Sequence, residues 1–323
     1  MGKETESQES PIRIGISSCL LGKRVRFDGG HEKDSYITDI LGSYFELVPV
    51  CPEIEVGMPV PREPVRLEGA SNSPRMVGVK TGTDWTDKMS RYARQRVRKA
   101  DLADLSGFIF KSRSPSCGME RVKLYVKAET AEKKAVGLFA RAFTEHFPHL
   151  PSEEEGRLTD AALRENFIVC VFVYHRLQGL FRRRFNRGEM VKFHTAHKYL
   201  LLAHSPSHYQ QLGRLVAAVK QTPVAVFKER YLALVMEGLK CKSTSRKNTN
   251  VLQHIVGFLR PHLSSDERRD VISAIDDYHR GLLPLIVPIT LIAYFVRRHD
   301  IKYIKDQVYL NPHPKELMLR NHV

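Results

Sequence analysis

"GFIFKSRSPSCG", residues 107–118, joins an apolar run to a turn-rich segment that contains a cysteine. The apolar part predicts a short buried β-strand, and the serines, proline and glycine that follow predict a turn. A cysteine that only fills a hydrophobic core needs no such turn. The pattern therefore predicts a thiol that is presented just beyond the end of a strand.

The same arrangement occurs twice more in the first half of the chain. "IRIGIS" at 12–17 runs into Cys19, and "FELVPV" at 45–50 runs into Cys51. In an open parallel sheet the C-terminal ends of the strands lie at one edge, where ligands bind. We therefore expect Cys19, Cys51 and Cys117 to lie close together, although 32 and 66 residues separate them along the chain.

Helical patterns alternate with these strands. Residues 84–105 and 133–147 have helical periodicity, and 122–127 has the pattern of a further strand. Strands that alternate with helices favour an α/β, Rossmann-like domain with a mostly parallel sheet. Residues 56–76 are rich in proline, glycine and serine and predict a long functional loop.

The composition changes after residue 150. Residues 1–11 are polar and predict a disordered tail without a secretory signal, and 12–150 form the predicted α/β domain. Residues 151–158 contain a proline, an acidic run and a glycine, which is typical of a linker. Only helical patterns follow, so 159–323 is expected to be an all-α domain.

The positive charge is concentrated in that second domain. The whole chain has a formal net charge of +15; residues 1–150 hold 24 Lys and Arg against 20 Asp and Glu, and residues 151–323 hold 27 against 16. Such an excess favours a polyanionic partner, although it also serves solubility. The candidate RNA-binding residues are Arg182, Arg183, Arg184, Arg187, Lys192, His194, His197, Lys198, Lys242, Arg246 and Lys247.

Two classes of protein are disfavoured. The longest uncharged apolar run, residues 281–296, has 16 residues and two prolines, whereas a membrane span needs about 20. The five cysteines are odd in number and show no disulfide framework, which favours a reducing, cytoplasmic location. No obligate protein partner is evident from the sequence.

Three converging thiols are the ligands that a soft metal prefers, either zinc or an iron–sulfur cluster. Three protein ligands leave one metal position open for chemistry. Glu53, close to Cys51, is a candidate general base, and Ser114 and Ser116 are candidate hydrogen-bond or proton donors. The alternative is that the three cysteines are unrelated core residues, as Cys170 in "NFIVCVFVY" is expected to be.

Several separated motifs resemble those of the thiouracil desulfidase family: "SSCLLG", "VRFDGG", "VCPEIEVGMPVPREPVRL" and "SRSPSCG". The resemblance covers roughly residues 12–150. The second half, through "KFHTAHKYLLLAHSP" and "QVYLNPHPKELMLRNH", resembles the all-helical domain that is often fused to it. The whole arrangement is similar to that of the bacterial tRNA 4-thiouridine desulfidases.

This resemblance implies a [4Fe–4S] cluster held by Cys19, Cys51 and Cys117, with the fourth iron binding the thiocarbonyl sulfur of the substrate. Glu53 would activate water, and Ser114 and Ser116 would position or protonate the base. The expected reaction converts 4-thiouridine in tRNA to uridine with release of sulfide. Two alternatives remain open: a desulfidase of free thiouracil or thionucleosides, and a non-catalytic iron–sulfur sensor that binds nucleic acid.

Overall fold

The computed structural model describes residues 11–127 and 130–322, which form two compact units, Met1–Leu158 and Thr159–Val323. The first unit is an α/β structure and the second is helical, so the expected fold class is confirmed. Most of the predicted N-terminal tail, residues 1–10, lies outside the described residues.

The first unit alternates strands and helices along its length. Its strands are β1 (Arg13–Ser17), β2 (Glu46–Val50), β3 (Val65–Ala70), β4 (Ser73–Gly78), β5 (Leu105–Phe110), β6 (Val122–Lys127), β7 (Thr130–Ala135) and β8 (Ser152–Glu154). Its helices are α1 (Pro52–Glu55), α2 (Thr86–Arg96), α3 (Ala100–Ala103) and α4 (Leu138–His146).

The first sheet has the strand order β2–β1–β5–β8, and every pair in it is parallel. Ile14, Ile16 and Phe108 are fully or almost fully buried in it, as parallel strands covered on both faces require. Gly15 has no side chain for a packing reason: a Cβ there would lie 2.3 Å from a ring carbon of Phe108. In this sheet β1 lies between β2 and β5, so the three strands that lead to the cysteines are adjacent.

The second sheet, β4–β3–β6–β7, corrects three of the predictions. Residues 122–127 do form a strand, but it pairs with β3 and β7 rather than extending the first sheet. Much of the predicted loop 56–76 is the antiparallel hairpin of β3 and β4. The predicted helix 133–147 begins only at Leu138, because the residues before it complete β7.

The predicted linker 151–158 is also wrong in part. Residues Ser152–Glu154 are strand β8, which pairs in parallel with β5. A short helical turn, Glu155–Arg157, follows it. This segment belongs to the first unit, which ends at Leu158.

The second unit is formed by helices α5 (Ala161–Arg182), α6 (Arg187–His204), α7 (Pro206–Ala217), α8 (Val224–Lys240), α9 (Ser245–Leu259), α10 (Ser265–His279), α11 (Ile286–Arg298) and α12 (Lys302–Lys305). Local sequence rules explain several boundaries: Asp160 caps α5, Ser205 caps α7, and Ser264 with Glu267 forms a capping box. None of the helices in the described part of the chain has the length and apolarity to span a membrane.

Candidate active site

The three cysteines that follow the neighbouring strands line one cavity of about 230 Å³. Cys19 lies in the helical turn after β1, and Cys51 is the residue immediately before α1. Cys117 lies in the loop after β5 and is 6% exposed. Strand β1 lies between β2 and β5, so the chain crosses from one side of β1 to the other after β2. The cavity therefore lies where the strand order switches, which is where open α/β sheets bind ligands.

The first turn of helix α4 holds the Cys117 loop in place. The backbone N–H groups of Phe139 and Ala140 donate to the Ser116 carbonyl at 3.0 and 3.1 Å, and that of Leu138 donates to the Pro115 carbonyl at 3.1 Å. These are N–H groups that a helix cannot satisfy internally. The loop and the helix therefore satisfy each other's backbone groups.

Strand β8 and the helical turn after it each supply one carboxylate that binds the same loop, on either side of Cys117. Glu154 accepts from the backbone N–H groups of Met119 and Glu120 at 2.8 and 3.2 Å. Glu155 accepts from the Ser112 backbone N–H at 2.7 Å and from the Lys111 Nζ at 2.5 Å. The segment predicted as a linker thus positions the cysteine loop.

Glu53 is the carboxylate of this cavity. It is the second residue of α1, and its side chain is 13% exposed. Ser116 Oγ donates to Glu53 Oε1 at 2.7 Å, and Arg62 Nε donates to Oε2 at 3.0 Å. The structure therefore places Glu53 in the same cavity as Cys19, Cys51 and Cys117.

Arg62 is a residue that the sequence analysis did not single out. Its side chain is 6% exposed, it forms an ion pair with Glu53, and its Nη2 donates to the Val25 carbonyl at 3.0 Å. A buried carboxylate needs such a partner to remain charged. Nothing in the spacing of "PVPREPVRL" distinguishes Arg62 from the residues around it, so only the structure identifies its role.

The two serines support their neighbours. Ser114 Oγ accepts from the backbone N–H groups of Ser116 and Cys117 at 3.3 and 3.2 Å, which fixes the turn. Ser116 Oγ lies 2.9 Å from Ser114 Oγ and also 3.6 Å from the Cys117 sulfur. A hydroxyl has one proton to donate. The shortest contact directs the Ser116 proton to Glu53 Oε1.

Lys111 is the second residue that the sequence analysis missed. It follows β5 and lines the cavity, with Nζ 2.6 Å from Glu32 and 2.5 Å from Glu155. Its charge lowers the pKa of Cys19, but burial outweighs it and raises that pKa to about 12. Burial likewise raises the pKa values of Cys51 and Cys117. The three thiols therefore stay protonated unless a bound cation compensates their charge.

The donor set fits an iron–sulfur cluster. Three soft sulfur ligands face one cavity, and their raised pKa values call for a positively charged group to hold them as thiolates. In residues 11–127 and 130–322, no three His, Cys, Asp or Glu side chains are gathered closely enough for a single metal ion. Cys19, Cys51 and Cys117, which line the cavity, are the residues that would hold such a group.

The predicted RNA-binding residues all lie in the helical unit but differ in exposure. The exposed ones are Arg182, Arg183, Arg184, Arg187, Lys192, Lys242 and Arg246. Lys198 and Lys247 are half-buried. Lys247 Nζ donates to the carbonyls of His204 and Lys242 at 2.7 and 3.1 Å, and Lys198 contacts the Tyr303 hydroxyl.

The two predicted RNA-binding histidines serve the core of the helical unit. His197 is 4% exposed, its ring stacks on Phe193 at 3.9 Å, and its Nδ1 donates to the Phe193 carbonyl at 2.8 Å. A side chain placed in this way does not reach a bound RNA. His194 Nδ1 lies 3.1 Å from the Tyr231 hydroxyl, and its ring is half-buried. Cys170, predicted as a core residue, is buried in α5.

Two family models match the chain. The model described as 2-thiouracil desulfurase matches residues 14–155, and a model described as a protein of unknown function, DUF1722, matches residues 198–314. The first match covers the unit that contains the cavity, and the second lies within the helical unit.

Similar proteins cover one part of the chain or another. The uncharacterized protein YbgA of Escherichia coli K12 is 30% identical over 158 residues, which is 49% of this chain and 94% of YbgA. The uncharacterized protein YbbK of Bacillus subtilis 168 is 31% identical over 110 residues, 32% of this chain and 72% of YbbK. A solved structure titled [4Fe-4S]-dependent thiouracil desulfidase TudS is 28% identical, with a TM-score of 0.39, over 47% of this chain and 97% of that one.

Proposed function

The chain belongs to the 2-thiouracil desulfurase family, and from this membership we propose that it is a [4Fe–4S]-dependent desulfidase that converts 4-thiouridine in tRNA to uridine. The observation that carries the proposal is the cavity itself. It places Glu53 among three cysteine thiols, and it fixes that carboxylate through Arg62 and Ser116.

Cys19, Cys51 and Cys117 would hold the cluster. When bound, the cluster supplies a thiophilic Lewis acid that polarises the C=S bond of the substrate. Glu53 then accepts a proton from a water molecule whose oxygen adds to the thiocarbonyl carbon. The C–S bond breaks, sulfur leaves as hydrogen sulfide and a carbonyl forms, so the reaction is a hydrolysis without net redox change.

The protein groups around Glu53 fix the orientation of the carboxylate that accepts this proton. Arg62 holds one carboxylate oxygen and Ser116 holds the other, so the carboxylate cannot rotate freely. Both contacts lie in a partly enclosed cavity, where a fixed charge acts more strongly than it does in water. The chain thus supplies an oriented base and a shielded pocket for one pyrimidine.

The charge of the helical unit supports tRNA as the substrate. Residues 151–323 hold 27 Lys and Arg against 16 Asp and Glu, and many of these cations are exposed. Lysine and arginine release counterions when they bind phosphates, and folded RNA is recognised largely through its shape and its backbone. A thiouridine would have to leave its stack to enter the cavity.

The test is an anaerobic assay of the reconstituted protein. Thiolated tRNA and free 4-thiouracil are incubated in parallel, and 4-thiouridine, uridine and released sulfide are measured. We expect 4-thiouridine in intact tRNA to become uridine, with one sulfide for each nucleoside converted. Turnover of the free base alone would instead identify a small-molecule desulfidase, and an intact cluster with no turnover would identify a sensor.

A further inference from the structure

A second depression adjoins the cavity on the outer face of the second sheet. It shares Val65, Arg113 and Pro115 with the cavity lining and continues over β6. In β6 the buried residue Leu124 alternates with its outward neighbours Lys123 and Tyr125. We call this depression the rim groove; it is lined by Val65, Arg66, Arg113, Pro115, Arg121, Val122, Lys123 and Tyr125.

The rim groove is positively charged. Arg113, Arg121 and Lys123 are exposed, and none has an ion-pair partner among the residues that the structure describes. The neighbouring acid Glu120 lies 3.5 Å from Arg157, outside the groove lining. An anion that entered the groove would therefore meet three uncompensated cations.

A fourth cation is held in place on the same surface. Arg66 lies between Glu68, whose Oε1 accepts from its Nε at 2.7 Å, and the Tyr125 ring, whose centroid is 4.8 Å from the guanidinium carbon. These contacts fix the guanidinium along the floor of the groove. The local charge is nevertheless positive, since Glu68 offsets only Arg66.

The backbone at both ends of the Cys117 loop adds an independent observation. Arg113 and Arg121 have φ angles of 61° and 56°, the left-handed region that glycine occupies without cost. Such a conformation costs a non-glycine residue about 1 kcal/mol or more. The chain keeps arginine at both positions, and both side chains line the groove.

We propose that the rim groove binds the phosphodiester backbone of the RNA strand whose thiolated base occupies the cavity. This inference rests on the proposed function. A base that turns into the cavity leaves its ribose and flanking phosphates outside, at the rim. Guanidinium groups match phosphate geometry with paired N–H donors, and unpaired cations at the rim favour that contact.

The test compares two double variants in the full chain. Arg121→Gly with Lys123→Ala removes two groove cations, and glycine suits the backbone at position 121, so the fold is expected to persist. Arg91→Ala with Arg94→Ala removes two exposed cations of α2 that line neither the cavity nor the groove. The substrates are a short single-stranded RNA containing 4-thiouridine, 4-thiouridine 5′-monophosphate and the 4-thiouridine nucleoside.

We expect the groove variant to lower kcat/KM for the RNA about tenfold or more, with nucleoside turnover within about twofold of wild type. The dependence of log(kcat/KM) on log[salt] should become shallower by about one to two units for the RNA. The α2 variant should retain wild-type values. An equal loss on all three substrates would overturn the proposal, as would no loss on RNA, and a loss on the monophosphate as large as that on RNA would assign the groove to a single phosphate instead.

The rim groove can also be tested without desulfidase activity. If the wild-type protein converts none of these substrates, the desulfidase assignment fails, and the groove is judged by equilibrium binding of an unthiolated oligouridylate. Weaker binding by the groove variant than by the α2 variant would support the backbone site. Equal binding by the two variants would overturn it.

Discussion

Glu53 shows how one residue acquires a chemical role from its contacts. A carboxylate that is 13% exposed is costly to keep charged unless it is paired. Arg62 supplies the pairing charge and Ser116 supplies a hydrogen bond, so both carboxylate oxygens of Glu53 are held within a largely buried pocket. The two contacts also leave capacity on the carboxylate oxygens for a water molecule.

We expect Glu53→Gln to reduce kcat by about 10²- to 10⁴-fold, because the amide cannot accept the proton of the attacking water. Anaerobic turnover measures the loss, and iron content measures whether the cysteine site is retained. Glu63→Gln is the control: Glu63 accepts the backbone N–H groups of Lys80 and Thr81 and does not line the cavity. Unchanged turnover in the Glu53 variant would refute Glu53 as the general base.

At this scale the sequence shows where chemistry can occur but not which groups support it. Cys19, Cys51 and Cys117 follow the ends of strands, and Glu53 lies two residues after Cys51. Their positions therefore follow from strand order. Arg62 comes from a proline-rich stretch whose path no short-range rule predicts. Its burial against Glu53 depends on tertiary packing that spacing does not encode.

Among the elements, helix α4 is the one that most directly fixes the site. Gly137 precedes it, and a Cβ at that position would lie 2.5 Å from the Ser116 carbonyl oxygen and 2.9 Å from the Cys117 nitrogen. Backbone atoms cannot move aside as a flexible side chain can. The close approach of helix and cysteine loop therefore depends on glycine.

We predict that Gly137→Ala displaces the Cys117 loop and lowers the amount of iron bound after anaerobic reconstitution by about half or more, since overpacking of this kind typically costs about 1–3 kcal/mol. Gly156→Ala is a matched control, because the nearest atom to its added Cβ is the Ser112 Oγ at 3.8 Å. Iron content and visible absorbance provide the measurement. Equal iron in both variants would contradict the role assigned to the glycine.

Elements with strong periodicity could be predicted and the others could not. The three cysteine-bearing strands are short apolar runs, and the helix caps at Ser205 and Ser264 follow local rules. Strand β8 has the sequence "SEE", which contains no apolar residue, and it exists because the edge of β5 offers it hydrogen bonds. The hairpin of β3 and β4 could not be predicted, because the prolines and glycines around it are typical of a loop.

Across the whole molecule, the histidines of the helical unit make it sensitive to acid. Burial lowers the pKa values of His194, His204 and His313 to about 4 and that of His197 to about 3. In the unfolded chain these groups titrate near the ordinary histidine value of about 6.5. Between those pH values the unfolded state binds more protons, so acidification favours unfolding.

We therefore expect the helical unit to lose about 1–2 kcal/mol of stability for each of these histidines between pH 7 and pH 5. Urea unfolding followed by far-UV circular dichroism reports mainly on this helical unit. The fluorescence of Trp85, the single tryptophan, reports on the first unit. The circular-dichroism transition should shift to lower urea at pH 5.

A pair of variants tests the cause of this shift. His197→Phe keeps a ring against Phe193 but removes one titrating group, so the pH dependence should become shallower by about 1.4 kcal/mol per pH unit at most. His254→Gln changes an exposed histidine and should leave the dependence as it is. The same dependence in both variants would refute the assignment to buried histidines.

Glu154 at the end of β8 and Glu155 directly after it determine how short the first unit can be made without losing its cysteine site. A shortened protein that stopped at residue 150 would lose the carboxylates that hold Lys111, Ser112, Met119 and Glu120 around the cysteine loop. It would also leave the edge of β5 unpaired and open to another chain. Recombination that joins this unit to a new partner can therefore preserve these contacts only if the crossover falls after Glu155.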